Sequence, residues 1–146
     1  MECRFLVPGK PCTQGSKDQF GREANKRLPG WRSDARQAAR DERPHDWPMG
    51  AWVVVTFTAS FARPQSHYGS RGGHPYLKPD APTHPGRVGD VDKVARALLD
   101  ALTGVLWHDD DQVVHLNARK DYAHHGEAPG LFCTVTPLEG HEVHLQ

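Results

Sequence analysis

The stretch AWVVVTFTASF, Ala51 to Phe61, constrains the fold more than any other part of the chain. Val53, Val55, Phe57, Ala59 and Phe61 alternate with Trp52, Val54, Thr56, Thr58 and Ser60, and β-branched residues dominate. A period of two with that composition predicts a strand that turns one face to a core. Such a strand needs partners, and three weaker segments offer them. CRFLVP runs up to Pro8 and Gly9, QVVHLNARKDYA sets Val114, Leu116 and Ala118 on one face, and GLFCTVTPLE alternates Leu131, Cys133 and Val135. Two segments read as helices. WRSDARQAARDE contains Ser33 as a candidate cap, with good helix formers after it. VDKVARALLDALTG carries an apolar stripe of Val91, Val94, Ala95, Leu98, Leu99 and Leu102, and Gly104 suits a left-handed end to it. Strands and helices do not alternate regularly, so the class is α+β: a small mixed sheet of about four strands with two main helices. At 146 residues one domain, 1–146, is expected. The tail GHEVHLQ is short and expected to fray.

Several function classes fall away early. No run approaches the ~20 apolar residues a membrane helix requires, and the apolar run in MECRFLVPGK is too short for a secretory signal. Cys3, Cys12 and Cys133 are odd in number and include no CxxC pair, which argues against a disulfide framework or a thiolate zinc site and favours a reducing cytoplasm. The ten histidines lack the close HxxxH or HxH pairing of a metal helix.

A net charge of zero conceals segregation. Residues 1–60 hold ten Lys/Arg against seven Asp/Glu and residues 61–89 four against one, whereas residues 90–111 hold two against six. A basic flank beside an acidic knot suits a metal-dependent enzyme acting on a polyanion, although charges also cluster by chance. The first basic loop contributes Lys10, Lys17, Arg22, Lys26 and Arg27. The second, from Ala62 to Gly89, has five prolines and five glycines and is read as having no regular element. It mixes Arg63, His67, Tyr68, Arg71, Lys78 and Arg87, a set that suits phosphates and exposed bases as readily as a mobile surface loop.

The acids sit at the two ends of the second helix. Asp90 and Asp92 stand at its start, where capping and the helix dipole are one explanation. Asp109, Asp110 and Asp111 follow its end, where a solvated turn is another. A helix of that length is roughly 18 Å long. The residues from Gly104 to Asp110, fully extended, reach roughly 20 Å. The chain could thus double back and bring an aspartate beside Asp90 and Asp92. Converging carboxylates repel unless a cation joins them, and an all-oxygen set points to Mg²⁺ or Mn²⁺. Arg96 shares a helix face with Asp92 and Asp100, so it is either an ion-pair partner of one of them or a cation for a scissile phosphate. Asp100 reads as structural.

The whole stretch GDVDKVARALLDALTGVLWHDDDQVV resembles the core motif of RusA-like Holliday junction resolvases, small endodeoxyribonucleases of phages and prophages. The shared pattern is D-x-D, a helix containing LDAL, a tryptophan, DD and QVV. RPQSHYG and ARKDYA are similar to phage members, and the opening strand, basic loop and helix come in the expected order, so the likeness covers most of the chain. The resemblance implies a Mg²⁺-dependent homodimer, with Mn²⁺ able to substitute, that binds four-way DNA junctions in the cytoplasm and nicks two strands symmetrically. It places the catalytic acids on Asp90, Asp92 and Asp110, which are also the metal ligands. Asp111 is an extra acid where a small residue is common, and it joins them as a candidate ligand. The family's catalytic lysine falls on Arg96, which keeps the charge but cannot relay a proton, and Lys93 is the nearby alternative. Two other readings stay open: a nucleic-acid-binding protein without catalysis, and a different metal-dependent phosphoesterase acting on branched DNA.

Overall fold

The computed structural model describes residues 1–142. Strand β1 (Cys3–Pro8) leads through the first basic loop into helix α1 (Leu28–Glu42). Strand β2 is Ala51–Phe61, the alternating stretch itself. A hairpin of β3 (Tyr68–Arg71) and β4 (His74–Leu77) precedes helix α2 (Val91–Leu102). Strands β5 (Val113–Tyr122) and β6 (Gly130–Glu142) complete the chain. The main sheet has the order β1-β6-β2-β5. Strand β6 runs antiparallel to both β1 and β2, while β5 runs parallel to β2. This is the mixed four-stranded sheet with two helices that the pattern predicts.

One face of the sheet is buried under both helices. Val53, Val55, Phe57, Ala59 and Phe61 of β2 are all buried, as are Cys3, Phe5 and Val7 of β1 and Leu131, Cys133 and Val135 of β6. Helix α1 lies against β1, where Cys3 Sγ approaches the carbonyl of Ala39. Helix α2 turns Val94, Ala95, Leu98 and Leu102 inward, together with Ala97 and Ala101. Among the described residues the other face carries no helix. There Leu6, Phe132, Thr58 and Arg119 stand in register across all four strands, and Leu6 and Phe132 are exposed.

Four local expectations are corrected. Ser33 is not a cap, because α1 begins a turn earlier with Pro29 in its first turn, where a missing N–H costs nothing. Val114 and Leu116 are exposed, since β5 is an edge strand and its register with β2 shifts between Val53 and Val54. The segment from Ala62 to Gly89 does hold regular structure: Gly72 and Gly73, at φ +55° and +80°, form the tight turn of the β3–β4 hairpin. Two glycines between short segments signal that turn, and the count of prolines masked it. Of the tail expected to fray, Gly140–Glu142 belong to β6, and Val143–Gln146 lie outside the described residues.

All three thiols are buried and free. Burial pushes Cys3 up to about 11, with nearby Glu42 adding to it, and raises Cys12 and, still further, Cys133. Because the thiolate is the reactive form, a thiol reagent at pH 8 should label the native protein slowly and all three cysteines promptly in guanidinium chloride. Rapid labelling without denaturant would contradict this core.

Candidate active site

The start of α2 is pinned to the end of the sheet. Lys120 Nζ of β5 donates to the Gly89 carbonyl at 3.1 Å. Gly89 has φ +62°, and a side chain there would press on Thr13 and Phe61, so the turn into the helix requires glycine. Asp90 occupies the N-cap position, yet its side chain makes no capping hydrogen bond. Its carboxylate instead lies 3.5 Å from Lys93 Nζ and is largely exposed. Lys93 also donates to Ser16 Oγ at 3.1 Å. Asp92, in the first turn, is exposed and has no ion pair or hydrogen bond among the described residues. Both carboxylates therefore stand at the positive end of a helix with their oxygens open to solvent.

The second acidic group lies elsewhere. The segment after α2 spends its length on the core instead of reaching back, because Val105, Leu106 and Trp107 are buried beneath the helix end. Trp107 Nε1 donates to Thr103 Oγ1 at 3.0 Å, and Trp47 Nε1 donates to the Leu106 carbonyl at 2.8 Å. Buried in this way, these apolar residues are not the free spacer that a full reach of roughly 20 Å requires. Asp110 thus stays at the end of α2 opposite to Asp90 and Asp92. No group of three or more His, Cys, Asp or Glu among the described residues is placed to hold a metal ion. The three-acid cage expected from folding back does not form within one chain, and its residues alone do not fit a three-ligand Mg²⁺ site.

Asp109, Asp110 and Asp111 nevertheless form an ordered turn. Asp109 Oδ1 accepts from the Asp111 N–H at 3.0 Å. Behind them Gln112 is fully buried: its Oε1 accepts from the N–H groups of His108 and Asp109, and its Nε2 donates to the carbonyls of Met49 and Ala51. Gln112 thereby ties the acidic turn to the start of β2. Its role carries no signal in the sequence, because a buried amide among acids is visible only once the turn is built. Loss of water around the Asp110 carboxyl raises its pKa, and Asp109, Asp100 and Asp111 raise it further. Asp100 is thus the acid that α2 does bring toward Asp110.

Arg96 pairs with neither Asp92 nor Asp100 among the described residues. Its guanidinium packs over Gly15, whose φ of +110° and lack of a side chain leave the space. Asp100 accepts a hydrogen bond from Gln14 Nε2, and Gln14 Oε1 accepts from Arg32 at 3.2 Å, which is a structural role. The first basic loop is laid over α2, with Gln14 N donating to the Lys93 carbonyl at 3.0 Å. Lys10 and Lys17 are exposed, Arg22 and Lys26 surround the Asp18 carboxylate, and Arg27 donates to the Lys10 carbonyl. In the second loop Arg71, Lys78 and Arg87 are exposed, while Arg63, His67 and Tyr68 are half-buried around the hairpin.

Solvent-facing carboxylates beside a lysine, cationic loops on either flank and an ordered second acidic turn suit an enzyme that works on phosphodiesters. A comparison with protein families gives the class: residues 8–136 match the family described as Endodeoxyribonuclease RusA. The chain belongs to this RusA family, and with it comes endonuclease activity on Holliday junctions. A search of curated proteins finds no match.

Two outcomes follow from the acidic turn. Gln112→Ala leaves buried carbonyl and N–H groups without partners and should lower stability by about 2–4 kcal/mol in urea unfolding. The raised Asp110 pKa means that the folded state disfavours its ionised form, a penalty absent below the ordinary carboxylate range and complete above the raised value. Asp110→Asn should therefore raise Tm slightly at pH 7 in EDTA and lose that advantage at pH 3. An equal gain at both pH values would show that electrostatics is not the cause.

Proposed function

We propose that this protein is a Mg²⁺-dependent resolvase that acts as a homodimer on four-way DNA junctions, nicks two strands symmetrically, and builds each active centre from both chains. The observation that carries the reading is the separation of Asp90 and Asp92 from Asp110 along α2. Strand β5 is a sheet edge with Val114 and Leu116 exposed. Pairing two β5 edges antiparallel about a two-fold axis would continue the sheet from one chain into the other. The start of one β5, which follows Asp110, would then lie beside the end of the partner strand. That end carries Lys120, which holds the turn before Asp90. The assembly would unite Asp90 and Asp92 of one chain with the acidic turn of the other, Asp110 and Asp111 included.

Bound at such a site, Mg²⁺ or Mn²⁺ would supply Lewis-acid polarisation of the scissile phosphate. The roles of the side chains follow from their positions. Lys93 offsets the charge of Asp90, and with Arg96 it presents cations to the nonbridging oxygens. Arg96 holds position and charge without moving a proton, because guanidinium does not deprotonate in this range. Lys10, Lys17, Arg22, Lys26 and Arg27 on one side, and Arg63, His67, Tyr68, Arg71, Lys78 and Arg87 on the other, contact the DNA, the cations through its backbone, so binding weakens steeply with salt. Among the described residues no helix is long and apolar enough to cross a membrane, and a cytoplasmic setting in a bacterial or phage-infected cell suits this substrate.

Asp90→Asn or Asp92→Asn should abolish Mg²⁺-dependent nicking of synthetic junctions while junction binding, read by gel shift, persists. Normal cutting by either variant would sink the assignment. Mixing the inactive Asp90→Asn and Asp110→Asn proteins tests the shared centre. A mixed dimer regains one site with all its acids, so nicking should return to about a quarter of the wild-type rate at equal mixing. If every acid came from one chain, the mixture would stay inactive.

The lack of a three-acid cluster in one chain favours one rival, a junction-binding protein without catalysis. It predicts no product on junction, flap or duplex with any divalent metal. Cleavage of flaps or nucleotides in preference to junctions would instead point to a different phosphoesterase.

A further inference from the structure

A cavity lies apart from the acids, between the β3–β4 hairpin and the end of β5. It measures about 470 Å³, within the range of pockets that enclose small organic groups. Its walls include Tyr68, Tyr76, Tyr122 and His125, with Arg63 and Asp121 supplying charge; Arg119 pairs with Asp121 Oδ2 at 3.2 Å, which leaves its Oδ1 to accept from a ligand. None of these rings is in the core: Tyr68 and Tyr122 are half-buried, and Tyr76 and His125 are exposed. Leaving four flat side chains wet around one hollow forgoes apolar burial, which suggests that they serve a ligand.

The rings are held firmly. The Arg63 guanidinium lies 4.1 Å over Tyr122 and is fixed from behind by the Pro82 carbonyl at 2.7 Å. His67 meets the same tyrosine edge-on at 5.5 Å. Tyr68 and His125 meet edge-on at 5.0 Å. Arg71 lies 4.7 Å over Tyr76 and does not line the hollow, so it braces the ring from outside. The hydroxyl end of Tyr76 crosses Gly69, where a side chain would collide with it. Flat π surfaces held at fixed angles, a carboxylate that accepts from amino groups and a guanidinium for phosphate make up the chemistry that recognises a nucleobase. A paired base is stacked on both faces and cannot enter, so the fitting ligand is a base that has left the stack. The position is apt as well. Tyr122 pairs with Phe61 at the end of the sheet where Lys120 secures the turn before Asp90, so a base held here anchors a strand near those carboxylates.

We propose that this cavity takes one unstacked nucleobase of the DNA, held against Tyr68, Tyr76 and His125, with Asp121 accepting from its amino group. The proposal deepens the reading of the protein as a junction nuclease and rests on it for the source of the base. Its test does not need cleavage. A short single-stranded oligonucleotide carrying one 2-aminopurine, whose fluorescence falls when it stacks on an aromatic ring, is titrated with the protein while anisotropy of an end label follows binding. Saturable quenching is expected. Tyr76→Leu and Tyr68→Leu should each weaken it by about tenfold, Tyr76→Phe should restore it, and Phe20→Leu, an exposed aromatic in the other loop, should leave it unchanged. Thermal melts establish that each variant is folded. Binding without quenching, no binding at all, or equal loss from Phe20→Leu would overturn the proposal. Junction cleavage with a silent probe would sink the cavity alone, and quenching without junction cleavage would sink the nuclease reading alone.

Discussion

Two neighbouring strands that run parallel cannot be joined by a tight turn; the chain must travel back along the sheet before it can start the second strand. The β2–β5 pair imposes that requirement here, and α2 is the return path. The turn that enters the helix is thereby committed to one end of the sheet and the turn that leaves it to the other. Asp90 and Asp92 fall in the first group, Asp110 and Asp111 in the second. The separation of the acids is thus a property of strand direction, set by the core before any functional residue is considered.

Two packing arrangements make that separation rigid. Val105, Leu106 and Trp107 bury themselves beneath the end of α2, and Gln112 satisfies four backbone groups from inside the acidic turn. Hydrophobic burial fixes where the turn begins, and hydrogen bonding fixes how it is shaped. At the other end one lysine does comparable work by holding the Gly89 carbonyl. The acids themselves contribute little to stability: Asp90 leaves its capping position unused, and the Asp110 carboxyl sits where its charge is disfavoured.

Much of this was legible in the residues. The inner face of β2, the stripe of α2 and the alternation of β6 are period signals, and burial agrees with them apart from Val91 and Leu99 of the stripe, which are half-buried. The acids and the cationic loops were legible as composition and as a motif, and the family match over residues 8–136 agrees with the resemblance. What escaped depends on facts that local pattern does not carry. The exposure of Val114 and Leu116 follows from β5 being an edge, which no property of β5 alone reveals. The hairpin escaped because prolines were weighed above the Gly72–Gly73 pair. The distance between the acidic groups escaped because contour length was used where packing decides, and the partner of Arg96 proved to be a bare backbone at Gly15 and not an acid.

The lysine tether at Gly89 has one more consequence. It closes off the stretch from Ala62 to Val88 as a module whose two ends are fixed independently, one by β2 and the other by β5. Such a module can be lengthened, shortened or replaced during evolution with little disturbance to the carboxylates that follow it. The segment can vary in length and composition while the carboxylates stay where the sheet puts them.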